Sequence, residues 1–255
     1  MKRPSPAVIL AIASLALAGK VHAGAPFVTD DPETVEFQHW EIYIESLVAH
    51  NSGGWSSTAP QVVINYGVVP NLQLHVIAPF SFSAPKGAST QYGYGDTELG
   101  AKYRFIEETE HRPQVGIFPL VELPSGDSTR GLGNGKAQVF LPIWLQKSFG
   151  PWTTYGGGGY WINQAAGNRN WWYAGWLVQR KITRQLTLGA EIFHETRKSD
   201  DEGSTTKINA GGMFDLNEHT HLLFSAGHTI QGRSEFIGYL GLQFTFGPEK
   251  KTEGK

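Results

Sequence analysis

The sequence predicts an all-β protein, a transmembrane up-and-down antiparallel barrel of about twelve strands, the size class in which alternating segments of about ten residues cross a bilayer. Three observations carry this prediction. Apolar and polar residues alternate with period two in one segment after another. Short and long connections alternate between those segments. Gly at 31 of 255 residues and aromatics at 12% are both high, and no later segment has the length and apolarity of a membrane helix.

Lys2 and Arg3 precede an apolar run over residues 7–18, and Val21-His22-Ala23 supplies a small-x-small cleavage pattern before Gly24. Residues 1–23 therefore read as a secretory signal peptide. Its removal takes away Lys2, Arg3 and Lys20 and no acid, leaving 18 bases against 23 acids, a net charge of −5 with His neutral. That balance argues against a nucleic-acid partner, which requires a basic footprint. Without Cys there is neither a disulfide nor a thiolate metal site. Residues 24–36 read as a short periplasmic segment, 37–246 as the barrel and 247–255 as a polar tail.

The first strand, 40–48, sets Trp40, Ile42, Ile44 and Val48 against His39, Glu41, Tyr43 and Glu45. The second, 61–68, sets Val62, Ile64, Tyr66 and Val68 against Gln61, Asn65 and Gly67. The third, 71–80, opposes Leu72, Leu74, Val76, Ala78 and Phe80 to Gln73, His75 and Pro79. The fourth, 96–105, is the sharpest, with Thr97, Leu99, Ala101, Tyr103 and Phe105 facing away from Asp96, Glu98, Gly100, Lys102 and Arg104. Segments 114–123, 136–149, 152–163, 172–182, 185–194, 206–216 and 219–230 continue the series. The last, 234–246, opposes Phe236, Leu240, Leu242, Phe244 and Phe246 to Glu235, Tyr239, Gln243 and Thr245. Pro79, Pro119 and Pro142 each remove a ladder donor and mark bulges or strand ends.

The connections after even strands are brief (69–71, 107–112, 150–151, 183–184, 217–218). Those after most odd strands are longer and polar (51–57, 84–93, 124–135, 165–170, 198–204), with 231–233 the short exception. Periplasmic turns and outer loops have that asymmetry, and an even strand count returns both ends to the periplasm.

Alternation alone does not separate a soluble sandwich or barrel from a membrane barrel, whose apolar face points outward. Aromatics near strand ends (Trp40, Tyr66, Phe80, Phe105, Trp152, Trp172, Phe214, Phe246) favour lipid, where they form interfacial girdles. So do the charges in mid-strand on the polar faces. Glu41, Glu45, Asp96, Glu98, Lys102, Arg104, Glu122, Lys181, Glu191 and Lys207 are the candidate lumen and selectivity residues. They either line a permeation path or pair across the lumen and plug it, Lys102 and Arg104 with Glu41, Glu45, Glu122 or Glu191. The final strand carries Tyr239, Gly241, Phe244 and Phe246, a pattern resembling the signal read by the outer-membrane assembly machinery.

Pro26-Phe27-Val28-Thr29-Asp30-Asp31-Pro32 followed by Trp40-Glu41, the run from Gly95-Asp96-Thr97-Glu98 to Lys102-Tyr103-Arg104-Phe105, and Leu123-Pro124-Ser125-Gly126-Asp127 together resemble a large bacterial family. The family is named for a MetA pathway of phenol degradation, and its members are called outer-membrane transporters. The similarity spans almost the whole mature chain. It implies an outer-membrane barrel that moves small compounds, aromatic ones among them, and it carries no catalytic residues.

Other motifs are weak. Gly156-Gly157-Gly158-Gly159 lacks the Lys-Ser/Thr and helix of a phosphate loop, and Gly157 and Gly159 instead leave lumen space for an aromatic or a solute. The loop 124–135 reads as a flexible surface loop, with inward folding as a constriction or binding of a cation the alternatives. His219 and His221 share a face near a turn without a metal-ligand cluster, and Ser225 and His228 fall on opposite faces, so no triad forms. Neither a cofactor nor a metal is expected. The expected function is a channel for small molecules, with lipid, the assembly machinery and a solute as partners. The rivals are a plugged structural or surface-binding barrel and a lipid hydrolase.

Overall fold

The computed structural model describes residues 25–248. The signal peptide and almost all of the polar tail lie outside the described residues. Twelve strands close into one antiparallel barrel. They are β1 (Trp40–Asn51), β2 (Gly54–Val69), β3 (Leu72–Pro85), β4 (Gln91–Tyr94 and Thr97–Ile106), β5 (Gln114–Ile117 and Leu120–Leu123) and β6 (Gln138–Phe149). The rest are β7 (Trp152–Asn163), β8 (Trp171–Lys181), β9 (Leu186–Glu195), β10 (Thr205–Asp215), β11 (Thr220–Gln231) and β12 (Glu235–Phe246). Each strand pairs with its sequence neighbours, and β1 closes on β12 in register from Trp40↔Phe246 to Asn51↔Glu235. Closure pairs Thr97–Ile106 of β4 on both sides, as a backbone in hydrocarbon requires, while Gln91–Tyr94 at the outer end pairs with β3.

The period-two pattern sets the faces as expected. Ile44, Leu74, Leu99, Ile143, Val178, Ile192, Ile208 and Leu240 are exposed on the outer wall, while Glu41, Glu45, Gln73, Lys102, Glu191 and Lys207 are buried within. Exposed aromatics gather near both rims, with Trp40, Phe105, Phe149, Trp152 and Phe246 at the short-turn end and Phe80, Tyr94 and Trp172 at the other.

Two expected long connections are shorter than the sequence suggests. The β1–β2 turn is only Ser52-Gly53, and β3 runs on to Pro85 before β4 restarts at Gln91. Trp55 still pairs with His50 and Ala84. Beyond the bilayer both faces of a strand meet water, so alternation fades while backbone pairing continues. Pro119 marks the break in β5, and Pro79 and Pro142 remain inside β3 and β6.

The lumen is filled on one side by rings. Phe118, Phe140, Trp144, Tyr173 and Phe193 form a buried cluster. Phe140 stacks on Trp161 at 4.7 Å between centroids, and Trp161 on Trp171 at 5.5 Å. Gly157 and Gly159 provide the room, because a Cβ on either would stand 3.0 Å from the Trp144 ring or 2.6 Å from the Phe140 ring.

Candidate functional site

Residues 24–36 read from sequence as a periplasmic segment, but from Ala25 onward the chain runs inside the barrel as a strap. Its backbone donors find lumen carboxylates and amides. Val28 N and Thr29 N donate to the two oxygens of Glu191 at 2.9 and 2.7 Å, and Val35 N donates to Gln73 Oε1 at 3.0 Å. Ser225 Oγ donates to Pro26 O at 2.6 Å, and Thr29 Oγ1 shares a hydrogen bond with Tyr173 OH at 2.9 Å. Lys102 Nζ lies 2.9 Å from Asp30 and 3.9 Å from Asp31. The segment carries its own acids and backbone donors, and the inward strand faces supply complementary partners. Glycines let it fit. A Cβ at Gly175 would stand 2.3 Å from Thr29 Oγ1, and one at Gly67 would stand 2.0 Å from Glu36 O.

The strap therefore changes the expected charge pairing. Lys102 pairs with Asp30 and Asp31, not with Glu41, Glu45, Glu122 or Glu191, and Arg104 bonds Asn71 Oδ1 at 2.6 Å and Gln114 Oε1 at 3.1 Å. Burial drives the Asp31 carboxyl well above its ordinary range, while Lys102 pulls it back. Glu98 meets His75 at 3.0 Å, Glu41 accepts from Tyr43 OH at 3.0 Å, and Glu122 accepts from Gln138. Glu45 accepts from Gln61 Nε2 at 2.6 Å and from Tyr239 OH. At the outer mouth Lys207 bridges Glu235 at 2.5 Å and Glu195 at 3.4 Å. Lys181, opposite Thr187 at the short-turn end, takes part in none of these contacts.

Two cavities flank the strap. The upper, about 660 Å³, is lined by Phe27, Val28, Leu47, Leu132, Ile237 and Tyr239, with Asn209 and Ser225 at its wall. The lower, about 130 Å³, mixes Asp30, Glu33, Glu41 and Lys102 with the apolar Val63 and Phe118. Ala25 and Glu45 line both, so they stand at the partition.

The loop 124–135 folds inward, the alternative that the sequence analysis ranked second. Asp96, at the break in β4, accepts from Gly126 N at 2.8 Å and Asn134 N at 2.5 Å. Leu132 is thereby pressed to 4% exposure over Gly93. Asp127 caps the short turn Ser128–Arg130, and the Thr129 hydroxyl at 2.6 Å holds its carboxyl below the ordinary range.

The family described as "Putative MetA-pathway of phenol degradation" matches residues 23–246. The chain belongs to that family. No curated protein is similar to it. Among solved structures, a COG4313 outer membrane channel from Pseudomonas putida F1 superposes with a TM-score of 0.69 at 16% identity, over 85% of this chain and 98% of that one. A KdgM porin in complex with disordered oligogalacturonate gives 0.57 at 11% identity over 80% and 99%, and a NanC porin 0.56 at 8% over 80% and 98%. At these identities the likeness is one of fold.

Within this family member, sequence reasoning missed Thr29, Asp30, Asp31, Tyr173 and Asn209. A usable signal existed in the inward glycines at 67 and 175, each a gap that something must fill. Ser225, considered above for a triad, anchors the strap, while His221 lies 2.7 Å from Asp215 and His228 is exposed. Among the described residues no group of three His, Asp or Glu is arranged to hold a metal ion.

Proposed function

We propose that the protein is an outer-membrane channel for small solutes, without catalytic chemistry on the solute, and that the strap meters their passage. The observation carrying this reading is that one lumen holds two cavities that share Ala25 and Glu45 in their walls, beside a segment held by hydrogen bonds and by the ion pairs of Lys102 with Asp30 and Asp31. Such contacts exchange with water at a net cost of about 1 kcal/mol between neutral groups and about 1.5–3 kcal/mol to charged ones, so the partition can open without dismantling the barrel. The mostly apolar upper cavity favours hydrophobic and aromatic solutes. The excess of acids among Glu41, Glu45, Asp96, Glu98, Glu122 and Glu191 over Lys102 and Arg104 favours cations over anions among charged ones. Lys207 and the acids beside it screen the mouth, and Lys181 sits at the exit. Lipid surrounds the apolar wall, and Tyr239, Gly241, Phe244 and Phe246 serve the assembly machinery.

Planar-bilayer recording and solute uptake into liposomes test the reading. Small, cation-preferring conductance with uptake is the expected result. An intact barrel giving neither overturns it in favour of a plugged structural barrel, which the aromatic cluster and the paired charges otherwise suit.

A further inference from the structure

We propose that the upper cavity is a binding site for small uncharged amphiphiles, each with an apolar body and a hydrogen-bond donor, and that it turns carboxylates away. The inference deepens the channel reading, on which it relies for how a solute arrives. The cavity's volume of about 660 Å³ falls within the roughly 300–1,000 Å³ usual for small-molecule sites. Leu47, Leu132, Ile237, Phe27 and the Tyr239 ring supply apolar wall. The polar groups at that wall are hydroxyls, which both donate and accept, together with the acceptors of Glu45, Asp96 and Asn209. Asn209 is 3% exposed and its Oδ1 has no partner, and Thr58 Oγ1 is buried and unpartnered as well. Glu45 already accepts from Gln61 and Tyr239, yet a carboxylate has about four lone-pair sites and two remain.

Buried acceptors without donors are costly to leave unmade, and a hydroxyl entering the cavity satisfies one of them. The charge balance sets the exclusion. Glu45 and Asp96 are both at the lining, and no Lys or Arg is among the described residues that line it. A carboxylate brought there would lose its hydration, meet like charge and find no cation.

Calorimetric titration of the whole detergent-solubilised barrel with benzyl alcohol, toluene and benzoate tests this. Benzyl alcohol is expected to bind at least tenfold more tightly than the other two. Ile237→Trp, which takes up part of the cavity beside Tyr239, should weaken that binding. Thr58→Val should reduce the preference over toluene, and Glu45→Gln should narrow the gap to benzoate. Each variant is first checked for the heat-shifted gel mobility of a closed barrel, and Thr58→Val is isosteric should Glu45→Gln not fold. Benzoate binding as tightly as benzyl alcohol, or binding unaffected by Ile237→Trp, overturns the proposal. Conductance recorded in parallel separates the two readings. A conducting barrel that binds no benzyl alcohol sinks the site alone. A non-conducting barrel that binds it sinks the channel and leaves the site standing.

Discussion

Glu191 is the point at which the strap is most exposed to a single substitution. Its carboxylate receives two strap N–H groups, from Val28 and Thr29, together with Asn209 Nδ2 at 2.8 Å. Hydrogen bonds to a charged group contribute about 1.5–3 kcal/mol each, so about 3–6 kcal/mol of strap docking passes through this side chain. Glu191→Ala removes both acceptors. Water entering the space left recovers part of the loss, and a residual of about 2 kcal/mol still shifts the docked-to-undocked ratio more than tenfold. Glu191→Gln keeps one acceptor oxygen and loses the charge, and so should fall between wild type and Ala. Single-channel recording in planar bilayers reads the shift as the frequency of large-conductance events at fixed voltage. The expected order is Ala, then Gln, then wild type, with heat-shifted gel mobility retained by all three. An intact Glu191→Ala barrel with wild-type conductance would refute the claim that the strap governs the lumen.

Four further outcomes are expected. Lys102→Gln leaves Asp30 and Asp31 facing each other without their cation, and breaking such a buried pair typically costs about 3–5 kcal/mol, so large-conductance events and cation preference should both rise in the same recordings. Burial raises the Asp31 carboxyl, so the docked strap binds a proton more tightly than the undocked one. Docking should therefore strengthen as pH falls from neutral toward the ordinary carboxylate range and weaken as pH rises through the elevated value, a conductance trend that Asp31→Asn flattens. Phe140 lines neither cavity, so Phe140→Ala should cost about 3–5 kcal/mol, read as an earlier heat-induced gel shift, with ion selectivity unchanged. Phe246 closes the barrel opposite Trp40, and Phe246→Ala should lower the amount of heat-modifiable protein recovered in outer membranes.

The barrel was legible because its signal is local and repeated. In β4, Leu99, Ala101 and Tyr103 alternate with Glu98, Gly100 and Lys102, and nothing distant is needed to assign the faces. The strap was not legible because its fold is set by partners far away in sequence. Thr29 meets Glu191 and Tyr173, and Asp30 meets Lys102, separations that periodicity does not reach. Residues 25–36 carry no alternation of their own and so resemble an idle leader to the barrel. Lys102 illustrates the consequence. A lysine in mid-strand on a lumen face calls for a carboxylate, and the acids that meet it, Asp30 and Asp31, stand outside the strands whose alternation marks the lumen. The β1–β2 hairpin failed for the opposite reason, since polar residues such as Ser56 and Ser57 hide a ladder that continues through them.

The two sides of the lumen are built from different interactions, and that difference bears on which side opens. The face formed by β5 to β9 contributes Phe118, Phe140, Trp144, Tyr173 and Phe193, whose packing is lost outright if the rings part, because a gap beside a ring has no substitute atoms. The strap, by contrast, buries only Pro26, Pro32 and Val35 of its apolar side chains and is otherwise held by Glu191, Gln73, Ser225 and Lys102 through contacts that water can replace one at a time. A solute moving down from the upper cavity therefore meets a lower barrier past Ala25 and Glu45 than through the rings. The path should follow the β1, β2 and β12 wall, where Leu47, Gln61 and Tyr239 flank the partition. Substitutions on that wall should alter solute passage, whereas those at Phe140 and Trp144 should alter the temperature at which the barrel unfolds.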